Sequence, residues 1–139
     1  MLKILLMSLA VAATSAFFCA PDVVAAELRY APQISNERGI KITVILQSIR
    51  NDAKTWDVEV TLETHTQSLS DDLAKSAVLI ADGKQYTPLS WEGAPPGGHH
   101  RKGKLHFKVI VPQPRSMELQ IRLTGDTAPR SFQWLEVRS

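Results

Sequence analysis

Cysteine is almost absent from this 139-residue chain: the one copy, Cys19, lies within the first 26 residues. A domain made of the remainder has no disulfide, no thiolate nucleophile and no sulfur-rich zinc or iron–sulfur site. Methionine is nearly as scarce. Met117 is the only one beyond the first 26 residues, which argues against a sulfur-rich Cu(I) site. No sign of charge dominates either, since 16 basic and 14 acidic residues leave a formal +2. The basic residues are scattered. Their one run, Arg101-Lys102-Gly103-Lys104, has no interleaved aromatic to stack on bases, so it reads as a solvated loop and not as a nucleic-acid surface. No Gly-x-Ser-x-Gly marks a serine nucleophile, and without a mature cysteine nucleophilic catalysis has no evident agent. The chain reads as a non-enzyme.

Long apolar runs are missing except at the start. Lys3 supplies a positive charge, Ile4 to Phe18 an apolar stretch, and Val24-Ala25-Ala26 a small-residue exit. That is the pattern of a cleaved signal peptide over residues 1–26, with the mature chain starting at Glu27. The run is shorter than the roughly 20 apolar residues of a membrane-spanning helix, so no membrane insertion is expected after cleavage. Phe17-Phe18 before Cys19 does not suit a lipid-attachment cysteine, which wants a small residue there. Of 139 residues, 26 removed leave 113 for one domain at 27–139, enough to bury roughly 65% of the unfolded surface. The expected location is the periplasm or the medium.

What is present is alternation. Ile40, Ile42, Val44 and Leu46 alternate with Lys41, Thr43, Ile45 and Gln47; Trp56, Val58, Val60 and Leu62 alternate with Asp57, Glu59, Thr61 and Glu63. The same period marks Leu105, Phe107, Val109 and Val111, then Met117, Leu119, Ile121 and Leu123. Period two is the mark of half-buried strands. Ala77–Ala81 is a short apolar run, and Asp82-Gly83 turns it into Lys84-Gln85-Tyr86 as a hairpin. Phe132, Trp134, Leu135 and Val137 give a last strand, and Leu28-Arg29-Tyr30 an edge strand. The one helix-like stretch is Ser68–Ser76, opened by a Ser68/Asp71 capping box. The expectation is all-β, an immunoglobulin-like antiparallel β-sandwich of about seven strands. Trp56, Val58, Val60, Leu62, Leu105, Phe107, Val109, Leu119 and Ile121 should form its core. The one long irregular connection is Ser90–Gly103, where Trp91 reads as a lid over the end of the core. Binding sites favour such loops on rigid scaffolds.

The chemistry-bearing residues are four histidines, all between 65 and 106. His65 closes the strand from Thr55, and His99-His100 end the Gly-rich connection. His106 alternates onto the polar face of its strand and reads as an exposed strand residue. Neutral imidazole is the common protein ligand of zinc and copper. Gly97-Gly98 would let the chain bend so that adjacent histidines serve one site. His65 and at least one of His99 and His100 are expected together at one end of the sandwich. Asp71, Asp72 or Glu92 could complete an oxygen/nitrogen site, though Asp71-Asp72 reads first as a helix cap. Ser70-Asp71-Asp72 is the one oxygen cluster that could interest calcium. Because imidazole binds metal only when neutral and free histidine protonates near pH 6.5, binding would weaken below about pH 6.

Thr64-His65-Thr66, Leu69, Asp72-Leu73, Val78-Leu79, Trp91, Gly98-His99-His100 and Gly103-Lys104-Leu105-His106-Phe107 together resemble a group of small exported bacterial β-sandwich proteins. In that group a Thr-His-Ser/Thr segment and a Gly-Gly-His-His segment recur. The likeness covers residues 55 to 110. The group carries no established function, so the resemblance implies export and fold and sets His65 and His99-His100 in one constellation. Two classes of function follow. One is an exported soluble binding protein that takes Cu(II) or Zn(II) on His65, His99 and His100. The other is a non-catalytic interaction module that binds an envelope protein without metal.

Overall fold

Residues 30–135 are described by the computed structural model. The leader, Cys19, the cleavage site after Ala26, Leu28, Arg29 and Val137 lie outside them. The alternating segments become strands for the expected reason. Side chains in extended chain point to opposite faces, and one face here is apolar throughout. Among the described residues nine strands form, with one turn of helix: β1 (Gln33–Glu37), β2 (Ile40–Ser48), β3 (Trp56–Thr64), α1 (Leu73–Ser76), β4 (Ala77–Ala81), β5 (Lys84–Tyr86), β6 (Ser90–Gly93), β7 (His100–Phe107), β8 (Ser116–Ile121) and β9 (Arg130–Leu135).

They make two antiparallel sheets, β1-β2-β3-β7-β6 and β5-β4-β8-β9. The all-β sandwich is as expected. Among the described residues the strands number nine, not about seven, and this order does not by itself make the sandwich immunoglobulin-like. Ile42, Val44, Val60, Leu105 and Phe107 from one sheet meet Leu79, Leu119, Ile121 and Phe132 from the other in one buried core. Each such side chain contributes about 1.5–3 kcal/mol when fully withdrawn from water.

Several expectations need correcting. The edge strand is Gln33–Glu37, and Tyr30 lies in a turn. No apolar face announces β1, because its one large apolar residue, Ile34, is 63% exposed. Gln33 instead ties β1 to the second sheet: its side-chain amide donates to the Gln133 carbonyl at 2.9 Å and accepts from the Gln133 amide at 3.0 Å. The stretch Ser90–Gly103 is mostly strand, and Arg101–Lys104 lie in β7, not in a solvated loop. The strand ends at Phe107, so the alternation slips there. Ile110 is buried, whereas Val109 only packs against the core and Val111 is exposed. The helix is capped by Asp72, whose carboxylate accepts from the Ala74 amide at 3.1 Å. Asp71 turns instead to Thr124, accepting from its amide at 3.0 Å and its hydroxyl at 2.7 Å.

Two buried arginines fix the loops. Arg130 holds Asp126 through Nε at 3.2 Å and donates to the carbonyls of Ile40 (2.7 Å) and Glu37 (3.0 Å). This fastens the Arg38-Gly39 turn between β1 and β2. Arg101, 1% exposed, donates to the carbonyls of Leu69 (3.2 Å), Asp71 (2.7 Å) and Ala94 (3.3–3.4 Å). Its guanidinium lies 5.7 Å from the Trp91 ring. That ring covers Gly93 and Gly103, which oppose each other in β6 and β7. A Cβ on either glycine would run into the other's Cα, so the pair must be bare and the indole fills the space. Trp91 is thus a lid on the core, as expected.

Candidate functional site

Strand β3 ends where β2 and β7 begin. Ile40 pairs with Thr64 and His100 with Glu63. The same end of the sandwich therefore gathers the Arg38-Gly39 turn, the exit of β3 and the entry to β7. Between them lies an open cleft of about 440 Å³, lined by Asn36, Gly39, Lys41, Glu63, Thr64, His65, His99 and His100. The expected grouping of His65 with His99 and His100 along one surface is what the fold produces.

The cleft's backbone is firmly held. Buried Thr64 donates its hydroxyl to the Gly39 carbonyl at 2.8 Å, and its amide donates to the His99 carbonyl at 2.9 Å. Leu69 continues the pairing: its amide donates to the Gly98 carbonyl (2.9 Å) and its carbonyl accepts from the Gly97 amide (2.8 Å). Gly97 and Gly98 both have positive φ, 115° and 72°, which side-chain-bearing residues rarely adopt. Their bend lets the chain leave the Leu69 segment and enter β7 within two residues. Arg101 then pins Leu69, Asp71 and Ala94 from behind.

The side chains in the cleft are less committed. Lys41 Nζ lies 2.6 Å from Glu63 Oε2, and this hydrogen bond holds the Glu63 carboxyl below its ordinary value against the opposing effect of burial. His100 Nδ1 stands 3.8 Å from Glu63 Oε1, beyond hydrogen-bond length. Among the described residues, neither the His65 nor the His99 ring makes a hydrogen bond. The three imidazoles are exposed. No three His, Cys, Asp or Glu side chains among the described residues are already grouped to hold a metal ion. The acids considered as completing ligands do not line the cleft: Asp71 and Asp72 serve Thr124 and α1, and Glu92 lies on β6.

His106 is the residue that sequence reasoning misplaced. It is on the outer face of β7 as expected, yet its side chain is only 16% exposed. Nδ1 lies 2.7 Å from Asp57 Oδ1 on β3, and Nε2 lies 2.8 Å from Glu92 Oε2 on β6. Asp57 also accepts from the Thr55 hydroxyl at 2.7 Å. Both ring nitrogens can donate only in the imidazolium form. Accordingly the hydrogen bond to Asp57, helped by Glu92 and opposed by burial, raises the His106 pKa. Burial alone would raise the Asp57 carboxyl, but the bonds from His106 and Thr55 outweigh it and hold that carboxyl low. The parity of Asp57 and His106 was readable. Their pairing was not, because it depends on the β3–β7 register.

Comparison with protein-family models, curated proteins and solved structures finds no match.

Proposed function

We propose that the chain is an exported, non-catalytic binding protein of the periplasm or medium, which takes up Cu(II) or Zn(II) in the cleft through His65, His99 and His100. One observation carries the reading: three exposed imidazoles from two separate segments line one cleft, and none is hydrogen-bonded to another group. A structural histidine looks different, as His106 shows. The fixed backbone at Thr64, Leu69 and Gly97 supplies a frame, and the exposed rings can turn within it, since exposed rotamers exchange in picoseconds to nanoseconds. Imidazole nitrogen with an adjacent carboxylate suits Cu(II) and Zn(II) and not a sulfur-seeking ion. The signal-like residues 1–26 support export.

A calorimetric titration with Zn(II) or Cu(II) tests this, run on the purified domain and on His65→Ala, His99→Ala and His100→Ala. Loss of a ligand should weaken binding by about tenfold or more. Equal affinity in all four proteins would favour the second reading, an interaction module for an envelope protein. That reading draws its support from the absence of a ready group of three ligating side chains among the described residues. Export has its own test. A mature chain beginning near Glu27 by intact mass is expected, and a lipidated Cys19 terminus would contradict it.

A further inference from the structure

The outer face of the five-stranded sheet carries a column of acids on β3 against a column of bases on β7. Asp57 opposes His106, Glu59 opposes Lys104, and Glu63 opposes His100. Lys102 reaches Glu59 at 3.2 Å. Most of these pairs are ordinary exposed contacts worth little. The His106 pair differs in three respects: it is largely covered, it is short, and it extends to a third strand through Glu92.

The third strand matters because β6 is an edge. It is bonded to β7 on one side only, and its four residues include Gly93, which adds no side-chain packing. Its Glu92 side chain is 79% exposed and meets His106 Nε2. Around the imidazole the charged and polar groups are Asp57 and Glu59 from β3, Glu92 and Ser90 from β6, and Lys104 of its own strand. The two contacts are both carboxylates. A neutral ring keeps one N–H. Asp57, anchored by Thr55, is the better-fixed acceptor, so the retained proton belongs on Nδ1. The Nε2 lone pair then faces the Glu92 carboxylate, and that contact turns repulsive.

We propose that His106 is a proton-operated fastener for the sheet edge: as an imidazolium it bridges Asp57 on β3 to Glu92 on β6, and on losing a proton it lets Glu92 and the edge strand go. The raised pKa of His106 agrees with this geometry. The sign follows directly. A group whose pKa is raised on folding contributes stability that is full below its unfolded value, ordinarily 6.5, and is lost as pH rises through the folded value. The low Asp57 carboxyl keeps the acceptor charged until strongly acid pH. The edge is therefore held tightest below the ordinary value of 6.5 and loosens as pH rises through the raised one. Because β6 leads through Gly97-Gly98 to His99, the fastener also sets how firmly that arm is held; this link to the cleft, unlike the fastener itself, rests on the binding reading above.

The test needs no metal. Amide exchange would be followed on the whole domain between pH 6 and 9 at Leu89 and Ala94, which donate across the β6 edge to the carbonyls of His106 and Lys102. After correction for intrinsic exchange, their protection should fall about three- to tenfold across the His106 titration, the scale of one partly exposed charge-assisted hydrogen bond. The His106 ring nitrogens should titrate above 6.5 in parallel. Glu92→Gln leaves the Asp57 contact intact and should abolish the pH dependence at both amides while the protein stays folded. His106→Gln should do the same. Protection that does not change with pH, a ring that titrates at or below 6.5, or an unchanged response in Glu92→Gln would each overturn the proposal.

Discussion

The β3–β7 pair has two ends, each with histidine beside carboxylate, and they are built in opposite ways. At the Trp56–Phe107 end, His106 is covered, and both ring nitrogens are used by Asp57 and Glu92. At the Glu63–His100 end, three rings face an open cleft with no ring nitrogen hydrogen-bonded, His100 Nδ1 coming no nearer than 3.8 Å to Glu63, and only the backbone beneath them is fixed. The difference separates histidine as a fastener from histidine as a ligand in waiting. A ring that already gives up both nitrogens has no lone pair to offer a metal. A ring on a rigid backbone with nothing bonded to it does.

The largest effect should come from the closed end's core. Phe107 is fully buried, and Phe107→Ala should cost about 3–5 kcal/mol in chemical denaturation. A loss below about 1 kcal/mol would mean that the register of β7, on which both ends depend, is wrong. Next comes Arg101→Met, which keeps an apolar stem against Trp91 but removes the guanidinium donor from the carbonyls of Leu69, Asp71 and Ala94, leaving Leu69 with the Gly97 amide alone and Ala94 with the Trp91 indole alone. About 2–4 kcal/mol should be lost, with the loss of amide protection concentrated at Gly97 and Leu69. An unchanged melting curve would show that the cleft's frame does not need the guanidinium. Smallest is the effect of His65→Ala and His99→Ala on stability, expected within about 0.5 kcal/mol because both rings are exposed and unbonded. A loss of more than about 1 kcal/mol from either would make these histidines structural and erase the contrast with His106.

Much of this is legible in the sequence, and the exceptions have physical causes. The strands β2, β3, β4 and β8 are announced by their apolar faces, and Asp82-Gly83, with φ of 46° and 82°, makes the expected two-residue turn. That His65 lies with at least one of His99 and His100 follows from the strand ends, and the resemblance already implied one constellation of all three. What escaped were places where an inward position carries something other than an apolar side chain. Arg101 and Gly103 hold the inward sites of β7 before Leu105, so the first half of that strand reads as a polar loop. Gly93 and Gly103 also hide β6, whose missing volume is supplied by Trp91 from two positions away. β1 has no apolar face, being held by the Gln33 amide and by its pairing with β2. His106 reads as exposed because its cover comes from Asp57 and Glu92, residues 49 and 14 positions distant, and alternation carries no information on cross-strand register.

The central claim is that the cleft, and not the fastener, is the binding end. The most direct measurement is a titration with substoichiometric Cu(II), followed by nuclear magnetic resonance of the four histidine rings, because a bound paramagnetic ion broadens its own ligands first. The account predicts that His65, His99 and His100 ring signals vanish together at the earliest additions while His106 stays sharp. Early loss of His106, or broadening of all four rings at the same copper concentration, would contradict it.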